Sequence, residues 1–186
     1  NLTNTSTLRD ELRTAGARLS STSDTEAIAA LIARDESPLE EAVVHTMERL
    51  EGAYAIVLLS EGKLVAFRDP DGIRPLALGR LDGDWLLASE SCAFDLLGAE
   101  LVREVGPGEL IVVDEDGLHS RQALEPRGAG ALCIFEYIYF ARPDSVVEGI
   151  SIYDARKRIG VELARESHVP ADVIVPIPDS GVCAAI

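Results

Sequence analysis

The sequence predicts an α/β chain built from two successive architectures, α+β first and the start of an alternating strand–helix unit last. Two observations carry this. Residues 1–50 hold three segments with apolar residues at helical spacing, and residues 53–113 hold short apolar runs broken by Gly- and Asp-rich turns. Beyond a Pro/Gly-rich stretch at 126–130, residues 171–186 read as a buried-type strand, a polar Gly-containing loop and a helix start, half of a βαβ unit. The implied division is 1–130 and 131–186.

Each element has a local reason. Leu8, Leu12, Ala15 and Leu19 recur at helical spacing, so a first helix covers about 8–15. Ser23 with Glu26 three residues later has the capping-box form and starts a second helix at Asp24, with Ile28, Leu31 and Ile32 on its apolar face. Pro38 in Ser37-Pro38-Leu39-Glu40 fits the first position of a third helix running to about Leu50. Residues 53–59 and 63–67 are strand-length runs around a Glu61-Gly62 turn. A Pro/Gly/Asp-rich segment at 68–75 interrupts. Residues 76–79 and 85–89 form a hairpin around Leu81-Asp82-Gly83-Asp84. A short helix follows at 91–97, then strands at 101–105 and 110–113 and a turn at 114–117. Residues 133–140 look strand-like, and 153–167 helical with Ile159 and Leu163 on one face. The chain opens in a polar stretch without methionine and ends one turn into an apolar helix, so it reads as a piece of a longer polypeptide.

Composition narrows the function classes. The net charge is −15, from 32 acids against 17 bases, which opposes binding to nucleic acid or to anionic membranes. No run approaches the roughly 20 apolar residues of a membrane span, and no signal-peptide pattern opens the chain. A cytoplasmic protein is expected. The three cysteines, Cys92, Cys133 and Cys183, are odd in number and form no C-x-x-C pair, as expected for reduced thiols. His45, His119 and His168 lie far apart without metal-ligand spacing.

Four segments carry the chemistry. They are Asn1-Leu2-Thr3-Asn4 with Ser21-Thr22-Ser23-Asp24-Thr25-Glu26; Phe67-Arg68-Asp69-Pro70-Asp71-Gly72-Ile73-Arg74-Pro75-Leu76; Phe135-Glu136-Tyr137-Ile138-Tyr139-Phe140-Ala141-Arg142-Pro143-Asp144-Ser145; and Val175-Pro176-Ile177-Pro178-Asp179-Ser180-Gly181. Read without a family, Asp24 favours a helix N-terminus and Ser23 caps it. Arg68, Asp69 and Arg74 staple a turn through Arg–Asp pairs. Ser89-Glu90-Ser91 caps a helix or shapes a neighbouring pocket. Arg142, Pro143 and Asp144 make a buried ion pair and a rigid turn, and Ser180 caps a helix after Asp179.

In this order and spacing the four segments resemble the glutamine phosphoribosylpyrophosphate amidotransferases over essentially the whole chain. The third segment is the most specific. The resemblance implies a glutaminase domain of four-layer αββα fold with an N-terminal nucleophile, here residues 1–130, followed by the start of a phosphoribosyltransferase domain, residues 131–186. The reaction it implies converts glutamine, phosphoribosylpyrophosphate and water to phosphoribosylamine, glutamate and pyrophosphate, at the start of purine synthesis. Asp24, beside Ser23, matches the aspartate that binds the α-ammonium of glutamine, and a carboxylate suits that cation. Ser180, with Asp179, matches the first phosphate-side loop, with Ser180 reaching Mg²⁺. Arg142 and Asp144 match a segment coupling the two sites. Cys133 matches one ligand of the [4Fe–4S] cluster that some members carry. The resemblance also implies a homo-oligomer, a tetramer.

The departures are as informative. The family's nucleophilic cysteine, its carboxylate-binding arginine and its oxyanion Asn-Gly pair are absent from these residues, Asn1 matching the position just after that pair. Residues 1–186 alone are therefore expected to be inactive. Two rivals stand beside this reading: another N-terminal-nucleophile amidotransferase, serving asparagine or glucosamine synthesis, and a non-catalytic glutamine-binding or scaffold module.

Overall fold

A computed structural model of the chain describes residues 1–60, 62–128 and 130–186. Two compact units emerge, one made of Asn1–Arg74 with Val105–Ala131 and the other of Pro75–Glu104 with Leu132–Ile186.

In the first unit, helices α1 (Thr5–Thr14), α2 (Asp24–Arg34) and α3 (Leu39–Arg49) pack on an antiparallel sheet. Its strands are β1 (Ala55–Ser60), β2 (Lys63–Arg68), β6 (Glu109–Asp114) and β7 (Gly117–Gln122), in the order β1-β2-β6-β7. Leu8 and Leu12 of α1, Ile28 and Leu31 of α2 and Val43 and Met47 of α3 share one core with Val65 and Phe67 of β2 and Leu110 and Val112 of β6. The periodicity that predicts the helices thus also selects the buried face. Register Phe67↔Leu110 and Val65↔Val112 puts these strand residues on one face. Strand β7 follows the expected turn but lacks an apolar run of its own, since Gly117-Leu118-His119-Ser120-Arg121-Gln122 is an edge strand with polar residues out. Glu61 of the Glu61-Gly62 turn and Ala129 of the 126–130 stretch lie outside the described residues.

Two helix starts differ in detail from their expectation. Ser23 does cap α2, its Oγ accepting the Thr25 N–H at 3.2 Å. Glu26 does not close the box onto Ser23; it turns to Ser20 and Ser21. Pro38 sits one position earlier than predicted, at the N-cap of α3, where its carbonyl accepts the Ala42 N–H.

The second unit contains the sheet β4-β3-β5, built from β3 (Ala77–Leu81), β4 (Asp84–Ala88) and β5 (Glu100–Glu104), with the short helix α4 (Cys92–Leu97) between β4 and β5 in the chain. The predicted β3–β4 hairpin turns at Asp82 and Gly83, both at positive φ. A second small hairpin, β8 (Val146–Val147) and β9 (Ile150–Ser151), turns through Glu148 and Gly149 at φ 48° and 73°. It leads into α5 (Ile152–Glu166), and α6 (Ser180–Ala185) packs on α5 at Gly160.

Two expectations are corrected here. Residues 133–140 are not a strand: Glu136–Phe140 form a single-turn π-helix. A continuous apolar run carries no period that separates strand from helix. The wide turn is held from outside, by the buried Arg156 of α5 donating to the carbonyls of Tyr137 (2.8 Å) and Ala141 (2.7 Å). Residues 171–176 form no ladder with any described residue, and Val173, Ile174 and Val175 are exposed. A strand of the βαβ type exists only against a parallel neighbour.

Candidate functional site

Asp24 is the first residue of α2, and its carboxylate faces the start of α1 rather than open solvent. Oδ2 accepts the Leu2 N–H at 2.8 Å and Oδ1 accepts the Thr5 hydroxyl at 2.8 Å. The amino group of Asn1 lies 4.0 Å from Oδ2, and the side chain keeps 34% of its surface exposed. The Leu2 amide, then the Thr5 hydroxyl, hold the Asp24 carboxyl below the usual carboxylate range. At neutral pH Asp24 is therefore an oriented anion with open lone pairs.

The segment that presents Leu2 and Thr5 is pinned at several points. Thr3 N–H donates to Glu51 O, and Ala53 N–H to Asn1 O. Asn4 bridges both ways, its Nδ2 donating to Arg49 O at 2.8 Å and its Oδ1 accepting the Glu51 N–H. Gly52, at φ +116°, makes room for this: a Cβ there would press on Leu2 Cα and Thr3 N at 3.1 Å.

The loop ahead of Asp24 is held by Glu26 and Arg9. Glu26 accepts the N–H groups of Ser20 (2.6 Å) and Ser21 (2.9 Å) and both their hydroxyls. Buried Arg9 donates to the carbonyls of Ser21 and Ser23 and to Glu26. The two serine amides, ahead of the Ser20 hydroxyl, bring the Glu26 carboxyl down to about 2 from 4.5. A depressed carboxyl contributes stability that is complete above the unfolded pKa and is lost as pH falls through the folded one. Glu26→Gln should therefore flatten the fall in stability between about pH 4.5 and about pH 2, leaving the slope above about pH 5 unchanged. Urea unfolding of both proteins across that range measures it.

The Arg68–Arg74 loop is a second built feature, in which the Arg68 and Asp69 side chains bond to backbone. Arg68 is buried and donates to the carbonyls of Arg74, Val105 and Gly72, each at 2.7 Å. Asp69, fully buried, accepts the N–H groups of Tyr54 (3.1 Å), Asp71 (3.0 Å) and Ile73 (3.2 Å). Arg68 and Asp69 thus both tie down the main chain of this loop.

In the second unit, Arg142 and Asp144 form a two-point ion pair, Nε to Oδ1 at 3.0 Å and a terminal nitrogen to Oδ2 at 2.8 Å. Both side chains are more than half exposed, so the pair is not the buried one expected and solvent screens it. The loop is anchored instead by Glu90 and Ser91, which the sequence marks as a helix cap or a pocket-shaping segment. Glu90 Oε2 accepts the Arg142 N–H (2.7 Å) and the Ser145 hydroxyl (2.8 Å), and Ser91 Oγ accepts the Val146 N–H (2.8 Å). Asp179 and Ser180 stand at the start of α6, where the Gly181 and Val182 amides donate to Ile177 O and Asp179 O.

The metal-binding expectations meet different chemistry. Among the described residues no group of three or more His, Cys, Asp or Glu side chains gathers as a metal would require. Asp179 and Ser180 offer one carboxylate and one hydroxyl at the start of α6, fewer protein oxygens than a magnesium ion's six ligands. Cys133 is a free, partly buried thiol, and Cys92 and Cys183 are buried on α4 and α6. A cluster needs several thiolates on one centre, so these residues do not by themselves fit one.

With this geometry in place, the comparisons are specific. A profile of the glutamine amidotransferase domain matches residues 1–95. The amidophosphoribosyltransferase of Rhizobium etli is 46% identical over 191 residues, covering 100% of this chain and 38% of the relative. The chloroplastic amidophosphoribosyltransferase 1 of Arabidopsis thaliana is 47% identical over 188 residues, covering 100% of this chain and 33% of the relative. The solved glutamine phosphoribosylpyrophosphate amidotransferase from B. subtilis, complexed with ADP and GMP, superposes with a TM-score of 0.92 at 39% identity, covering 100% of this chain and 41% of that one. The chain thus spans about two fifths or less of the proteins it matches, and the resemblance carried by the four segments extends along its full length.

Proposed function

This chain belongs to the glutamine amidotransferase domain family, and from that premise we propose that it forms the glutamine-binding part, residues 1–130, and the beginning of the phosphoribosyltransferase part, residues 131–186, of an amidophosphoribosyltransferase. The parent reaction is that of glutamine, phosphoribosylpyrophosphate and water giving phosphoribosylamine, glutamate and pyrophosphate. The observation that carries this is the unbroken similarity of the whole chain to enzymes of that name. It disfavours an amidotransferase of asparagine or glucosamine synthesis, because the match continues past the glutaminase part. The scaffold-module reading is not favoured by any feature of the Asp24 site.

In this reading Asp24 receives the α-ammonium of glutamine, with Ser23 fixing the helix start that aims it. Arg142 and Asp144 lie on the segment joining the two activities. Asp179 and Ser180 border the diphosphate side, where a magnesium ion would neutralise the phosphates. A soluble biosynthetic role, in the cytoplasm, agrees with the acidic surface. Among the described residues no helix is long and apolar enough to cross a membrane, and the Arabidopsis relatives are named chloroplastic. A homo-oligomer is the expected assembly.

Chemical-shift titration of residues 1–186 with L-glutamine tests the core of the proposal. Shifts should concentrate at Leu2, Thr5, Asp24 and Thr25. Asp24→Asn should weaken binding about 10- to 100-fold, the range for a hydrogen bond to a charged group. 4-Carbamoylbutanoate, which lacks the α-ammonium, should bind wild type as weakly as glutamine binds the variant. No glutamine should be hydrolysed, since Cys92, Cys133 and Cys183 are internal residues without an adjacent α-amine base. Glutamine shifts unaffected by Asp24→Asn would overturn the assignment.

A further inference from the structure

We propose that Thr5 is a positioning residue for Asp24: its hydroxyl fixes the carboxylate in the orientation that receives the α-ammonium of an amino-acid ligand. The proposal rests on the glutamine reading of Asp24 and adds to it a side chain from another helix. Thr5 opens α1 and Asp24 opens α2, 19 positions apart, and Thr5 Oγ1 reaches Asp24 Oδ1 at 2.8 Å. The same hydroxyl has a second acceptor, Leu2 O, at 3.4 Å. With one hydrogen to give, it favours the shorter, charge-assisted bond.

Counting lone pairs shows what this leaves. An ionised carboxylate accepts about four hydrogen bonds. The Leu2 amide takes one on Oδ2 and Thr5 takes one on Oδ1. Each oxygen keeps capacity on its open side, matching an ammonium that has three N–H groups to place. The terminal torsion of an aspartate is soft and two-fold. Held by Leu2 alone, the group could swing about that bond; held at both oxygens, it cannot. The positively polarised first turns of α1 and α2 also meet at this carboxylate, which favours its charged form. The guanidinium of Arg9 adds a further favourable charge.

Three variants of residues 1–186 decide the matter: Thr5→Val, which keeps the shape and removes the hydroxyl, Thr5→Ser, and Asp24→Asn. The probes are L-glutamine, 4-carbamoylbutanoate and the carboxyl ¹³C titration of Asp24. Thr5→Val should weaken L-glutamine about fivefold, which corresponds to about 1 kcal/mol. It should leave 4-carbamoylbutanoate binding unchanged and raise the titration midpoint of Asp24. Thr5→Ser should restore both. If Thr5→Val binds glutamine like wild type while Asp24→Asn does not, Thr5 positions nothing and the glutamine reading survives. If Thr5→Val weakens both ligands equally, the residue is only structural and the proposal fails. If Asp24→Asn binds glutamine as wild type does, the glutamine reading falls and takes the proposal with it.

Discussion

Replacing Asp69 by alanine should destabilise the first unit by about 3–5 kcal/mol, the loss typical of removing one member of a buried charged network. The carboxylate is fully buried and serves three amides at once, those of Tyr54, Asp71 and Ile73. Alanine removes the acceptor from all three donors, and the buried Tyr54 amide is left unpaired at about 1–3 kcal/mol before relaxation. The Asp69 main chain adds its own ties, its N–H to Tyr54 O and its carbonyl to the N–H groups of Gly72 and Gly108. These survive the substitution and limit the expected loss. For a chain of this size the melting temperature should fall by about 6–20 °C. Asp69→Asn, which keeps one acceptor oxygen, should lose less. Thermal and urea unfolding of the two variants measure the difference, and a loss within about 1 kcal/mol would refute the account.

Gly108→Ala should cost about 2–4 kcal/mol, by a mechanism that involves no charge. Gly108 sits at φ +70°, donates its N–H to Asp69 O at 3.0 Å, and accepts the N–H groups of Ala123 and Leu124. A Cβ would drive into the Leu124 carbonyl, with Leu124 C and Gln122 Nε2 both at 3.0 Å. Backbone cannot step aside as a side-chain end can, so strain adds to the cost of the left-handed conformation. Gly16→Ala is the control: its φ is +83° but nothing lies within 4 Å of the added carbon. That variant should lose only about 1–2 kcal/mol, and the difference in denaturant midpoint between the two reports the crowding alone. Equal losses would mean that the close approach is relieved elsewhere.

Legibility followed the range of the interactions. The three opening helices, the two hairpins and the capping role of Ser23 were readable because spacing, turn residues and caps act within a few positions. The whole-chain resemblance was readable because FEYIYFARPDS and the segments around it are stretches of sequence, and the comparisons bear it out. The partners of Asp24 were not readable. Thr5 carries no signal of its own, nothing in the Asn1–Asn4 segment says that Leu2 will face Asp24, and both reach it only because Asn4 and Gly52 dock the opening segment beside residues 49–53. Glu90 and Glu26 stand at positions where local pattern places a helix cap, while their carboxylates go to donors that this pattern does not select.

The sequence by itself therefore determined the family and the order of helices and strands from α1 to β6, and it marked Asp24 as a candidate residue. Tertiary structure alone decided that 136–140 coil into a π-helix, that 171–176 pair with no described strand, and that Asp24 is gripped at both oxygens. Periodicity and capping are written into neighbouring residues. Hydrogen bonds across 15 to 55 positions exist only once the chain has closed its loops and excluded water, and no local pattern encodes which donor will then face which acceptor.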